Sequence, residues 1–365
     1  MFLIVTRNFP PDIGGIQSLM GGLSESLLNH GPVKVFAHEH LNSKTYDTKS
    51  QMEIERIKGL KLFKKYRKAN LVNNFISEKN NIRAIITDHW KSLELLNKDY
   101  LNKSKTFCLI HSKEINHQRD SSANKRIIKS LGKADFIIAN SNFTKKLAIN
   151  IGVDSSKILV IFPGVHKPKT IENNIKEKAK NIFKDSFPKI ITVARLDKRK
   201  GHDKILMSVK NLKYKHPKIK YVSIGFGDEE KNLVKLSKEL NIDNSVIFLK
   251  DIEEDLKFAL IEESNLFLMP SRIEKKSVEG FGISFVEAAS YGVGSIGGKD
   301  GGASDAISHN KTGLICDGNN LNSIYESIEL FLKNKNYINF GVNAKKFSED
   351  FHWNKIVKKY LELIN

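Results

Sequence analysis

Glu279 and Glu287 stand eight positions apart in VEGFGISFVEA, with Gly280, Phe281 and Gly282 after the first acid and an apolar run leading to the second. If LFLMP ends a strand, SRIEKKSVEGFG is the following loop and ISFVEAASYG a helix. The backbone N–H groups of Gly282 and Ile283 then open that helix and point at an anion, which a helix N-terminus favours. A carboxylate beside an anion is electrostatically unwelcome, so the two acids are expected to accept hydrogen bonds from sugar hydroxyls while the bare backbone between them holds phosphates. Spacing alone fits a loop Glu and a helix-surface Glu equally well.

Two further segments carry chemistry of the same kind. In VARLDKRKG, residues 193–201, Arg195 and Lys200 share a loop that Gly201 closes before a helix. Together they can neutralise a diphosphate, the Arg through its planar fork and the Lys as a compact charge; a solvated basic loop is the alternative. In PPDIGG, Gly14 and Gly15 precede a helix and carry no side chain to keep a bulky ligand from the backbone. The segment is no GxGxxG fingerprint and by itself also reads as a tight turn. DHW, at Asp88, His89 and Trp90, resembles a catalytic pair, but adjacent residues at a strand end point in different directions. His89 is therefore read as structural or acceptor-facing.

Elements that would position these residues recur along the chain. FLIV, VKVFAHE, RAIITD, TFCLIH, FIIANS and ILVIF read as strands, as do KIITVA, KYVSIGFG, SVIFL, LFLMP, GVGSIGG and GLICD after them. Apolar strands alternating with helical stretches indicate a buried parallel sheet, here two of them. Residues 1–165 are expected as one Rossmann-like domain and 189–344 as a second. The strandless 166–188 is expected to link them, and a C-terminal helix within 345–365 to pack back on the first, its stripe formed by Trp353, Ile356, Val357, Tyr360 and Ile364. In open parallel sheets ligands bind beyond the carboxyl ends of the strands, which is where all three candidate loops fall.

Composition sets the outer limits. At 365 residues, with 40% hydrophobic and 28% charged side chains, the chain fits two ordinary globular domains. It has no apolar run long enough to span a membrane, and its start does not read as a secretory signal. Cys108 and Cys316 suit a reducing cytoplasm without disulfides. The formal net charge is +19 and the isoelectric point near 9.6. The densest basic stretch, RIKGLKLFKKYRK at residues 56–68, interleaves Lys58, Lys61, Lys64, Lys65, Arg67 and Lys68 with apolar residues. It suits an anionic membrane surface, or is a solvated face from a lysine-rich vocabulary. A basic nucleic-acid-binding protein is the rival from another class, with no recognised nucleic-acid motif beside the charge; a nucleotide-sugar epimerase of related fold is the rival among enzymes.

The pair Glu279 and Glu287 matches the E-x7-E motif of retaining glycosyltransferases of the family-4 type, and the resemblance covers nearly the whole chain. NFPPDIGGIQ resembles that family's N-terminal glycine loop, NSNFTKKLA its S-x-F-T segment, IFPGVH its entry to the linker, VARLDKRKG its diphosphate loop, KDGGASDAI its GG-x-x-E turn and IHSKEI its HG-x-E segment. Pro163, His166, Asp305 and the Ser-Lys-Glu after His111 depart from the family pattern, as does Lys250 in the base-contacting loop.

The resemblance implies a GT-B fold, two doubly wound Rossmann-like domains facing a central cleft, and transfer of a hexose from a UDP- or GDP-linked sugar with retention of configuration. Arg195 and Lys200 would stabilise the leaving diphosphate with the backbone of Gly280, Phe281, Gly282 and Ile283; Glu279 would hold sugar hydroxyls, Glu287 the ribose, and His111 the sugar from the first domain. Gly14 and Gly15 would also contact the donor. The implied acceptor is a hydroxyl of a membrane-associated glycolipid, lipopolysaccharide or lipid-linked glycan, met at the inner face of the cytoplasmic membrane. No metal, cofactor or nucleic acid is expected.

Overall fold

The computed structural model describes all 365 residues, apart from the side chain of Lys61. The chain divides into two units, Met1–His166 with His352–Asn365, and Lys167–Phe351.

The first unit is built on seven strands: β1 (Phe2–Val5), β2 (Val33–His38), β3 (Glu53–Ile57), β4 (Ala84–Thr87), β5 (Lys105–Ile110), β6 (Phe136–Ala139) and β7 (Ile158–Val160). All pair in parallel, in the order β3-β2-β1-β4-β5-β6-β7. The central strands β1 and β4 are apolar and buried along their whole length, as a sheet covered on both faces requires. β3 is absent from the apolar pattern because it is an edge strand of different composition. Its EIERI places Glu53 and Glu55 against the buried Lys34 of β2, at 2.6 and 3.2 Å.

The last helix, Trp353–Ile364, belongs to this unit and buries Trp353, Ile356, Val357 and Tyr360. It packs on the helix Gly15–Leu28. The Trp353 indole lies so close to Gly22 and Gly164 that a Cβ there would come within 2.2 and 2.4 Å of it. Glycine at both positions is what lets the helix seat.

The second unit has six parallel strands: β8 (Lys189–Val193), β9 (Lys220–Ile224), β10 (Val246–Leu249), β11 (Leu266–Met269), β12 (Ser295–Gly298) and β13 (Gly313–Cys316), in the order β10-β9-β8-β11-β12-β13. The stretch 166–188, read as a linker, mostly belongs here. Its residues Asn173–Phe183 form a helix that buries Ala179 and Phe183 and packs on the helix Glu254–Glu263. At the other boundary the helix Asn336–Ser348 runs through residue 344, and the chain re-enters the first unit at His352. Each sheet reverses strand order once, between β1 and β4 and between β8 and β11. Loops leaving those strands diverge and open a crevice at the carboxyl edge.

Candidate active site

The second unit's switch point brings together two of the sequence-identified residues, Lys200 and Glu279. After β8 the chain makes a short turn at Lys198–Lys200, and Gly201 takes a left-handed conformation (φ 78°) before the helix His202–Leu212. A Cβ on Gly201 would sit 2.5 Å from the Pro270 carbonyl at the end of β11, so the two loops meet only because this residue is glycine. His202 fixes the turn from below. Its Nδ1 bonds the Tyr221 hydroxyl at 3.0 Å, and its Nε2–H donates to the Arg195 carbonyl at 3.1 Å. Burial pushes its pKa down to about 4, so it stays a neutral structural bridge.

Across the switch point, β11 feeds the loop that ends at Gly282, which is left-handed (φ 90°) and caps the helix Ile283–Ser290. Glu279 lies in this loop with its side chain 12% exposed, and one of its oxygens, Oε2, takes two cations. The Lys200 ammonium donates to it, and the Arg199 guanidinium donates to it at 2.7 Å. Burial alone would raise the Glu279 pKa, but Lys200 and then Arg199 outweigh it and hold it at about 2. Arg199 is itself flanked by Asp197 at 3.9 Å, and its carbonyl accepts from the Arg272 N–H. Arg272 in turn grips Asp203 through both its terminal nitrogens, at 2.9 and 3.0 Å. Three ion pairs, Lys200–Glu279, Arg199–Glu279 and Arg272–Asp203, therefore stitch the segment after β8 to the loop after β11.

The remaining candidates of this unit fall at different distances from that cluster. Arg195 has its backbone fixed by His202 while its side chain is exposed, and it does not join Glu279. Arg199, which the spacing argument passed over, takes that place; the clue was its position inside the basic loop, next to Lys200. Glu287 lies on the following helix and pairs with Lys257 at 3.5 Å, and that ammonium sits 4.0 Å over the Phe258 ring. Lys257 was likewise not singled out, because it lies on a separate helix. Gly280, Gly282 and Ile283 remain backbone elements of the loop and helix start. The Phe281 side chain turns away from the loop and is buried against Phe351 in the unit's interior. Lys250 pairs with Glu230 at 3.1 Å.

In the first unit, the switch-point loops carry Arg7 after β1, Asp88 and His89 after β4, and His111 after β5. Asp88 is fully buried and saturated: its Oδ2 accepts from the Arg7 N–H at 3.0 Å and its Oδ1 from the Ser92 hydroxyl at 2.7 Å. Its carbonyl accepts from His111 Nε2–H at 3.0 Å. The His111 N–H is received by the buried Glu114 carboxylate, whose pKa burial raises. His89 accepts the Lys91 N–H on Nδ1 at 2.9 Å and so caps the turn Trp90–Leu93. Burial keeps it uncharged, with its pKa pushed down to about 2, and this is the structural reading of the DHW motif. Gly14 caps the helix Gly15–Leu28, with the Gln17 side chain folded over it toward Asp12 at 2.6 Å.

The basic stretch has an exposed part and a buried one. The helix Lys61–Glu78 exposes Leu62, Phe63, Lys65, Tyr66 and Arg67, and the preceding turn exposes Lys58 and Leu60. Lys64 is half-buried, and the Lys61 side chain lies outside the described residues. Lys68 corrects the surface reading: it is 3% exposed and points inward, because positions 68, 69, 72 and 76 form the helix's buried face. Arg67 reaches back to the Lys58 carbonyl.

Among the described residues no group of three His, Cys, Asp or Glu side chains is arranged to hold a metal ion, and no helix is long and apolar enough to cross a membrane.

Residues 173–347, nearly all of the second unit, match the family model of glycosyl transferases group 1. Over almost its full length the chain is 23% identical to a GDP-mannose-dependent alpha-(1-6)-phosphatidylinositol monomannoside mannosyltransferase of Mycobacterium tuberculosis, covering 99% of this chain and 97% of that one. It is 25% identical to the GDP-mannose-dependent monoacylated alpha-(1-6)-phosphatidylinositol monomannoside mannosyltransferase of Corynebacterium glutamicum, over 89% and 86% of the two chains. Among solved structures, Anabaena HepE in complex with UDP superposes with a TM-score of 0.81 at 17% identity, covering 100% of this chain and 99% of that one. The two parallel sheets are those of a GT-B fold. The segment matched by that family model is thus the one that carries the Lys200–Glu279–Arg199 cluster, and along its length the chain is similar to GDP-mannose-dependent mannosyltransferases.

Proposed function

We propose that the protein transfers a hexose from a nucleotide-diphosphate sugar, with retention of configuration, to a hydroxyl of a membrane-associated glycolipid or lipid-linked glycan. The observation that carries this reading is the Lys200–Glu279–Arg199 cluster at the second sheet's switch point, inside the segment that matches the family model. A diphosphate approaching the start of the helix Ile283–Ser290 would meet backbone N–H groups together with the charges of Lys200 and Arg195. The same approach frees Glu279 from one of its two cations to accept donor hydroxyls, and Glu287 takes the ribose. GDP-mannose is the first donor to try, since the relatives named above use it.

In the reaction the acceptor oxygen forms its bond to the anomeric carbon on the face from which the diphosphate departs. The bond from that carbon to the phosphate oxygen breaks, and the acceptor's proton passes to that oxygen. Lys200 and Arg195 bear the charge that develops on the leaving group, so no carboxylate nucleophile takes part, in contrast to the paired acids of retaining glycosidases. On this account a divalent ion is not required, and transfer persists in EDTA.

The acceptor side is assigned to the first unit, whose exposed Leu60, Leu62, Phe63 and Tyr66 alternate with Lys58, Lys64 and Lys65. Cations contribute about 1 kcal/mol each near an anionic surface, and aromatic rings suit the interface. This supports a peripheral enzyme at the inner face of the cytoplasmic membrane. The deciding experiment offers GDP-mannose and UDP-hexoses with phosphatidylinositol mannosides and with membrane lipid extracts, and follows nucleotide release and lipid products. Absence of transfer from every donor would refute the reading.

A further inference from the structure

Lys68 is a buried charge that the proposed reaction does not use. Its neighbours on the inner face of the helix Lys61–Glu78 are Ala69, Val72 and Ile76, so the pattern of that face calls for an apolar residue at 68. Burying an ammonium costs several kcal/mol unless its protons are taken up. Here Nζ donates to the Thr6 carbonyl at 3.1 Å and to the Ser92 hydroxyl at 2.9 Å. Thr6 follows β1 and Ser92 follows β4, so this one ammonium ties together the two loops that diverge at the switch point. The chain of bonds continues from Ser92 to Asp88, and from Asp88 to the Arg7 N–H and the His111 ring.

We propose that Lys68 is a positioning residue for the first unit's side of the reaction, holding the loops after β1 and β4 so that Arg7, toward the acceptor, and His111, toward the transferred sugar, keep one fixed arrangement. The proposal rests on the reading that the first unit takes the acceptor. It also gives the helix Lys61–Glu78 two faces with related tasks: Leu62, Phe63 and Tyr66 outward, and Lys68 inward on the site. A satisfied buried network of this kind confers a single geometry more than it confers stability.

The charged and titratable groups around Lys68 are Asp88 after β4, Arg7 after β1, His38 at the end of β2 and Lys64 on its own helix. Burial, opposed by Asp88, lowers the Lys68 pKa to about 8. Acceptor kcat/KM of the wild type should therefore fall as pH rises through that value, when the ammonium loses its proton and the bridge weakens.

The test compares wild type, Lys68→Met and Lys68→Arg. Lys68→Met should lower kcat/KM for the acceptor on the order of tenfold while the dissociation constant for GDP or UDP is unchanged, because those bind the second unit. Lys68→Arg should restore most of the loss and abolish the fall above about pH 8. Unchanged acceptor kcat/KM in folded Lys68→Met, or equal losses in acceptor and nucleotide parameters, would overturn the proposal. A measurement that needs no activity separates its failure from failure of the functional reading: the His111 Nε2–H resonance should exchange faster with solvent in Lys68→Met. If that proton stays equally protected, the positioning role is wrong whatever the enzyme transfers.

Discussion

The two sheets place a carboxylate at each strand-order reversal, and they treat it in opposite ways. In the second unit Glu279 is held by side-chain cations alone, Lys200 and Arg199, both on one oxygen. In the first, Asp88 is held by a backbone N–H and a hydroxyl, with Lys68 one hydrogen bond further off. The difference lies in what each can exchange. Ion pairs between flexible side chains can be re-partnered when an anion arrives, whereas a carboxylate bonded to backbone is a fixed part of the loop. On the proposed function, the second switch point would change partners with a charged donor, and the first would hold a shape for a less charged acceptor.

Variants that remove a cation from the second switch point should give the largest effects. Lys200→Ala is expected to lower kcat about 10²-fold, the usual loss for one electrostatic contact to a developing charge. Its acceptor KM should change little, and steady-state kinetics with both substrates varied will separate the two. A loss no larger than that of Lys68→Met would erase the contrast between the sites.

Arg199→Ala should act next, through Glu279. Lys200 and Arg199 together hold the Glu279 pKa at about 2, below its ordinary 4.5. A carboxylate with a depressed pKa stabilises the fold above its ordinary value and loses that contribution as pH falls through its folded value. Without Arg199 the folded pKa rises, so the acid unfolding midpoint should move upward, as followed by circular dichroism from pH 6 to 2. An unmoved midpoint would mean that Lys200 alone sets the charge of Glu279.

Smaller effects sharpen the comparison. If Glu287 takes the ribose as proposed, Glu287→Ala would remove a contact made equally in ground and transition states, so donor KM should rise several-fold with kcat nearly constant. Changing Lys58, Lys64 and Lys65 to Gln should abolish co-sedimentation with anionic vesicles, which in the wild type weakens as salt rises. The same variant should keep full activity on a soluble acceptor analogue. Retained vesicle binding would leave that surface without the assigned task.

What was legible in the sequence follows the same division. The β8 and β11 loops were readable because their chemistry is local: Lys200 and Glu279 stand in short motifs directly after apolar strands. Twelve strands announce themselves by short, largely apolar runs, the central ones buried along their whole length, while β3 does not, since three of the five residues of EIERI are charged and two of them pair across to Lys34. That the side chains of Phe281 and Lys68 turn inward was not legible, for one reason. Neighbouring residues suggested a loop and a basic surface, but the direction of a side chain is set by what packs beneath it. Phe351 meets Phe281 from seventy positions away, and Thr6 and Ser92 meet Lys68 from either side in the chain. Arg199 was hidden among three adjacent basic residues, Lys198, Arg199 and Lys200, whose inward and outward directions only the turn they form decides.

The central claim is that the diphosphate of a sugar nucleotide departs at the second switch point and the sugar keeps its anomeric configuration. It is tested most directly by NMR of transfer from a donor 13C-labelled at the anomeric carbon, run side by side with wild type and Lys200→Ala. The wild type should give a product with the donor's own anomeric configuration, formed about 10²-fold more slowly by the variant. An inverted product, or a variant as fast as the wild type, would contradict it.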